Sequence, residues 1–340
     1  MKTDIRETAL YSKILGSLLG GIIGDAVGAP AEGLHYETIE ERHGWLEDFS
    51  GTGTDDTIMK TLLAQALIAT GGYAGRDHWA AQWLEDYESI FGKKADKFFI
   101  SVHHTAVKLR FTLPRLAALG NLPSSSSAMC ISPVGMVNAC HPAAAAAQAY
   151  DVASLIHTHD VAFCQDGAAA VAAAVAEACG PSASADSVRE AAVRHIEPES
   201  GKEMREAISA VLSEAEEAGD YRQFRKTVYS RSERYFRALM CDSRETVPLA
   251  LACFSLAGGE VEKSVLYGAN FGRDADTIAT MAGAIGGAFQ GAGAVRPAWR
   301  EKIEASPAAD QEELAERLAR AALAKHASEK KAHELFEELC

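Results

Sequence analysis

The stretch Gly16-Ser17-Leu18-Leu19-Gly20-Gly21-Ile22-Ile23-Gly24-Asp25-Ala26-Val27-Gly28 decides how the chain folds, because a glycine recurs at every fourth position from Gly16 to Gly28. That spacing places the four glycines on one face of a helix. Each glycine disfavours a helix interior by about 1 kcal/mol relative to alanine. A face kept bare of side chains therefore predicts that another backbone lies close against it. Gly283, Gly287 and Gly291 repeat the spacing near the other end of the chain. Together the two stretches predict a pair of tightly packed central helices. A glycine-rich turn at Gly20-Gly21 and the Gly28-Ala29-Pro30 exit is the alternative, and the persisting helical periodicity weighs against it.

Around this pair the pattern is helical almost throughout. Alanine-rich runs occur at 143–149, 168–178 and 321–324, and alternating Val/Ile/Thr segments are scarce. The expectation is an all-α fold in which residues 1–340 form one domain, with 310–340 a charged, solvated terminal helix. Gly120-Asn121-Leu122-Pro123, followed by Ser124 to Ser127, reads as a loop and a candidate for ligand contact.

Composition narrows the function. The 340 residues are 48% hydrophobic and 24% charged, which suits a globular protein with ample core. The net charge of −14 repels phosphate backbones, so neither general nucleic-acid binding nor an anionic membrane surface fits. A single phosphorylated ligand stays compatible, since bound divalent cations would invert the local potential. The seven cysteines are odd in number and form no Cys-x-x-Cys pair, which disfavours a disulfide framework or a zinc–thiolate site. The N-terminus, Met1 to Glu7, lacks a signal-peptide pattern, and the apolar run Ile14 to Ile23 is short for a bilayer and closed by Asp25. A soluble, cytoplasmic protein is expected. No phosphate loop, dinucleotide fingerprint or nucleophile elbow occurs.

Two acidic clusters carry the chemistry: Thr54-Asp55-Asp56-Thr57 and Asp274-Ala275-Asp276-Thr277. Each opens an apolar helical run. Asp and Thr are common helix caps, so capping is the alternative for either cluster alone. Paired acids at two helix starts exceed what capping needs. Carboxylate and hydroxyl oxygens suit Mg²⁺, Mn²⁺ or Ca²⁺, so convergence of the two starts would build a divalent-metal site.

Read with their neighbours, the clusters resemble a known family. Gly24-Asp25-Ala26-Val27-Gly28-Ala29-Pro30-Ala31-Glu32, then Thr54 to Thr57 with Met59, then Gly272-Arg273-Asp274-Ala275-Asp276-Thr277, are similar in order and spacing to the ADP-ribosylglycohydrolase family. The resemblance implies an orthogonal bundle of helices holding two Mg²⁺ or Mn²⁺ ions. By position, Thr54, Asp55 and Asp56 would ligate one side and Asp274, Asp276 and Thr277 the other. Such proteins cleave a glycosidic bond at the anomeric carbon of ADP-ribose. Asp55 and Asp56 would serve as ligand and base, and Glu32 as an acid/base, with an exposed surface charge as the alternative reading of Glu32. Asp25 would have a supporting role. Substrate contacts would fall on Ser127, Met129, Cys130, Gly135, His159 and Arg273. Cys130 stands where many relatives carry arginine, and Arg273 where glycine is usual, so phosphate recognition differs. The expected partner is an ADP-ribosylated or small-molecule substrate. A metal-dependent N-ribosidase acting on a small nucleoside, and a non-catalytic binding protein on the same scaffold, are the competing functions.

Overall fold

The structure, a computed structural model, describes residues 4–92, 97–306 and 310–340. Among them every regular element is a helix and no strand forms, as expected of an all-α chain.

The glycine stretches set the centre. The helix Ala9–Gly28 starts at Thr8, whose hydroxyl accepts a hydrogen bond from the Tyr11 amide and so satisfies one orphan donor. Its partner is the helix Ala275–Gln290. The two run antiparallel with their bare faces together. A Cβ on Gly20 would lie 2.7 Å from the Gly283 carbonyl carbon, one on Gly24 2.8 Å from the Thr280 nitrogen, and one on Gly28 2.6 Å from the Asp276 nitrogen. Only glycine permits that approach, and the helix-propensity penalty is offset by backbone-to-backbone contact along the whole interface. The antiparallel register has a functional consequence. It puts the Gly28 end of one helix against the Asp276 start of the other.

The same helix corrects one expectation. Asp25 does not close the apolar run, because the helix continues through it to Gly28. The segment Ala9–Ala31 is long and apolar enough to cross a membrane by length and composition, yet 89% of its most apolar window is buried inside the protein. Its apolarity answers to the core. Around the pair stand the alanine-rich helix Phe163–Ala178 and the helices Ser243–Leu256 and Val261–Ala269, all largely buried.

The terminal helix runs Gln311–Glu337. Leu314, Ala315, Leu318, Ala319, Ala321 and Ala322 bury its first half, so the solvated expectation holds only beyond Lys325. The serine run lies in a loop, as its composition predicts, but it is not solvated. Ser124 to Ser127 are all buried and all partnered: His157 Nε2 is 3.0 Å from Ser124 Oγ and its Nδ1 2.9 Å from Ser127 Oγ, Ser124 Oγ donates to Ser126 Oγ at 2.8 Å, and Ser125 Oγ donates to Asp274 Oδ2. Burial lowers the His157 pKa to about 3, so the ring is neutral, with one nitrogen donating and the other accepting.

Candidate metal centre and its cavity

Both acidic motifs lie at helix starts, and neither is used as a cap. Thr54 and Asp274 occupy the cap positions of their helices without a side-chain capping bond. The helix Asp55–Ala69 is capped instead by a distant residue. Asp25 Oδ1 accepts from the Thr54 amide at 2.8 Å, and Asp25 Oδ2 accepts from the Thr57 amide at 3.0 Å and the Thr57 hydroxyl at 2.6 Å. This leaves Thr54, Asp55 and Asp56 free to point elsewhere. Neither cap position shows the side-chain bond that the capping alternative expects.

The structure then brings the motifs together across some 220 residues of sequence. Thr54 Oγ1 lies 3.5 Å from Asp276 Oδ2, and Thr277 Oγ1 lies 3.4 Å from Asp56 Oδ2. Carboxylate oxygens of Glu32, Asp274 and Asp276 all lie within 4.8 Å of one another. Glu32 arrives through backbone pairing: the Gly33 amide donates to the Arg273 carbonyl at 2.7 Å, and the Arg273 amide donates to the Leu34 carbonyl at 3.0 Å. That pairing holds Arg273 at φ 58°, a left-handed conformation unusual for a side-chain-bearing residue.

Burial and mutual repulsion of the acids dominate the electrostatics. Burial, then the charge of Asp25, raises the Asp55 pKa to about 7. Burial, then Glu32 and Asp55, raises that of Asp274 to about 8. Asp56 and Asp276 are pushed well up by burial and by their acidic neighbours. Glu32, solvent-accessible at the rim, is raised by partial desolvation and the Asp25 charge. Asp56 Oδ1 and Asp276 Oδ1 are buried without a hydrogen-bond partner. Buried carboxylate oxygens rarely lack partners, and so many acids do not converge without a counter-charge. The all-oxygen donor set, with unpartnered oxygens from both motifs, fits a divalent cation.

One buried cation stands behind the acids. Lys60, one turn after Asp56, is fully buried with its Nζ 3.5 Å from the Leu18 carbonyl. Burial lowers its pKa to about 8, against the opposing pull of Asp25 and Asp56. Nothing in its apolar sequence surroundings signals this position. The capping role of Asp25 leaves no local signal, because its partners lie about 30 residues away.

The acids form one end of a cavity of about 1120 Å³, which continues past Ile58, Phe98, Phe99, Leu239 and Met240. Met129, Arg273, Ser125 and Ser126 also line it, and Ser125 Oγ donates to Asp274 Oδ2 at 3.3 Å. The structure does not bring Ser127, Cys130, Gly135 or His159 to the cavity wall. Ser127 is bound to His157, and Cys130 is fully buried with its Sγ against the Ser126 and Ser127 carbonyls. Gly135 packs against Val175, and His159 is exposed. Arg273 is engaged: its Nε and Nη2 hold the buried Glu245 carboxylate at 2.7 and 2.8 Å, so its charge is already paired.

A model of the ADP-ribosylglycohydrolase family matches residues 6–328. An uncharacterised Escherichia coli protein, YegU, is 27% identical over 91% of this chain and 96% of its own. The human protein named ADP-ribosylhydrolase ARH3 is 25% identical over 86% of this chain and 89% of its own. A solved structure titled ADP-ribosylglycohydrolase-related protein complex superposes with a TM-score of 0.66 at 22% identity, covering 92% of this chain and 97% of that one. That likeness concerns the fold.

Proposed function

Because the chain belongs to the ADP-ribosylglycohydrolase family, we propose that it hydrolyses the bond between ADP-ribose and a modified acceptor, using two bound divalent ions, Mg²⁺ or Mn²⁺. The observation that carries this reading is the set of unpartnered, buried carboxylate oxygens from two helix starts facing one cavity. Thr54, Asp55, Asp56, Asp274, Asp276 and Thr277 would hold the ions. Bound there, the ions would supply Lewis acidity toward the ribose oxygens and a water of lowered pKa.

The residues of the chain do the rest. Cleaving a ribosyl bond builds positive charge at the anomeric carbon. The converging carboxylates stabilise that charge where it develops. Glu32 reaches both the rim and the acids, and its raised pKa suits it to take a proton from water and return it to the leaving group. Asp25 acts through the backbone: it fixes the turn that aims Asp55 and Asp56. Ile58, Leu62, Ile90, Phe98 and Phe99 give the cavity an apolar portion beside the acids.

One observation favours a smaller riboside as the second reading. Among the described residues lining the cavity the cations are Lys97 and Arg273, and Arg273 is tied to Glu245, which leaves little charge for a diphosphate. The two readings separate by product. Chelated protein, resupplied with Mg²⁺ or Mn²⁺, should release free ADP-ribose from an ADP-ribosylated acceptor. Release of ribose from nucleosides, with no cleavage of any ADP-ribosyl compound, would assign the site to the riboside.

A further inference from the structure

Six of the large apolar side chains that the described residues expose fall in one stretch: Ile100, Phe111, Leu113, Leu116, Leu119 and Leu122, with Phe111 81% and Ile100 61% accessible. Exposed apolar residues clustered in this way mark interaction surfaces. Residues 97–122 also carry Lys97, Lys108, Arg110 and Arg115 and not one Asp or Glu, in a chain where 47 acids outnumber 33 bases. Among the described residues Arg110 and Arg115 have no carboxylate partner, and the Arg110 guanidinium lies 4.7 Å over the Tyr87 ring.

The stretch is an ordered hairpin. The helix Ile100–Leu109 is followed by the short helix Pro114–Ala117, and the chain then returns to the foot of the first helix. Ser101 Oγ accepts from the Leu122 amide at 2.9 Å and donates to its carbonyl at 3.1 Å, while Lys108 Nζ donates to the Leu119 carbonyl. Asn121 Nδ2 fastens the returning arm to Thr105 Oγ1 at 2.8 Å and to the Ile156 carbonyl at 2.7 Å. Both feet of the hairpin stand in the cavity wall: Phe98 and Phe99 precede it, and Ser125 and Ser126 follow it.

We propose that this hairpin docks an acidic polypeptide with an apolar anchor, the segment of a modified protein that presents its ribosyl group to the cavity. The inference rests on the ADP-ribosyl reading above and narrows it to a macromolecular acceptor. In a chain with net charge −14, an acid-free basic surface beside the cavity favours and orients the approach of an acidic partner. The exposed leucines and Phe111 supply the area that charge alone does not.

The test uses a fluorescein-labelled peptide of glutamate and leucine with no ribosyl group, and a lysine–leucine control, measured by anisotropy at about 50 mM salt, where surface charges are weakly screened. The native protein should bind the acidic peptide and not the basic one. Arg110→Glu with Arg115→Glu should weaken binding about tenfold or more and flatten its salt dependence. Phe111→Ser, which changes no charge, should weaken it while leaving the salt dependence intact. With the same acceptor amino acid ADP-ribosylated in the acidic peptide and as the free amino acid, these variants should raise KM for the peptide and leave cleavage of the small compound unchanged. No binding of the acidic peptide, or equal binding by the charge-reversed protein, would overturn the proposal. So would a native dimer in sedimentation that Arg110→Glu and Arg115→Glu dissolve, which would assign the surface to a second copy. Failure to cleave any ADP-ribosyl compound would remove the functional reading, and the unmodified peptide would still decide the hairpin.

Discussion

Gly28→Ala tests whether packing between the glycine helices positions the acids. The new Cβ would sit 2.6 Å from the Asp276 nitrogen and 2.7 Å from the Ala275 carbonyl oxygen, where ordinary contact begins at 3.4 Å. Both neighbours are backbone, so no side chain can turn aside, and the start of the second acidic helix must retreat by about 1 Å. Overpacking of this kind destabilises by about 1–3 kcal/mol, while the gain in helix propensity is at most about 1 kcal/mol. For 340 residues, a net loss of about 2 kcal/mol lowers Tm by about 3 °C. The effect on turnover is larger, because misplacing a reacting group by about 1 Å reduces the rate about 100-fold. Gly16→Ala is the control. Its Cβ would meet the Gly291 carbonyl carbon at 2.6 Å and the Ala292 nitrogen at 2.8 Å, the same clash at the far end of the same interface. Melting curves and initial rates of ADP-ribose release should show similar stability losses in both variants and a rate defect in Gly28→Ala alone. Equal rates in the two would refute the idea that this interface sets the position of Asp276.

Asp25→Ala removes the distant cap of the helix Asp55–Ala69 and leaves the Thr54 and Thr57 amides without their acceptor; unfolding should become easier by about 2–4 kcal/mol, and denaturant titration showing under about 1 kcal/mol would contradict the capping role. Asp56→Ala and Asp276→Ala should each abolish turnover with the circular dichroism of the native helices retained, and unfolding of both would return the acids to a structural role. Removing metal should make stability depend on pH with a definite sign: Asp55 and Asp274 have folded-state pKa values of about 7 and about 8, above the ordinary 3.8, so their stabilisation is complete below about pH 4 and is lost as pH rises through about 7 to 8. His157, held neutral with a pKa of about 3, gains no slope above about pH 6.5. Chelated protein should therefore melt at falling temperature from about pH 6.5 to 8, and metal-loaded protein should not; a rising or flat Tm of chelated protein over that range would contradict this sign. Lys60→Met removes the buried cation behind Asp25 and Asp56 and should weaken the ionised, metal-ready form of these acids, read as a metal affinity lowered about tenfold by calorimetry, with an unchanged affinity counting against it.

Much of this architecture can be read from residue spacing. Four-residue glycine periodicity predicts a helix with a bare face, and the structure pairs Gly20 with Gly283 because backbone contact is the compensation that spacing demands. The acids of both motifs are visible for a similar reason: they exceed what caps require. Other parts depend on long-range partners that local pattern does not encode. Asp25 lies inside an apolar helix, and its role is set by amides on another helix. Glu32 joins the second motif through the backbone of Gly33, Leu34 and Arg273, which leaves no mark in side-chain types. Four consecutive serines do not announce burial, which His157 makes possible for Ser124 and Ser127 and Asp274 for Ser125. The charge of Arg273 invites a phosphate until Glu245 is seen to hold it.

The central claim is that oxygens of both helix starts share divalent ions. Anomalous diffraction from crystals soaked in manganese addresses it without reference to turnover. Mn²⁺ peaks should lie between Asp55 and Asp56 on one side and Asp274 and Asp276 on the other, and be absent from crystals of Asp276→Ala. A saturating soak that leaves this cavity without a peak, or that places manganese only on surface carboxylates, would contradict it.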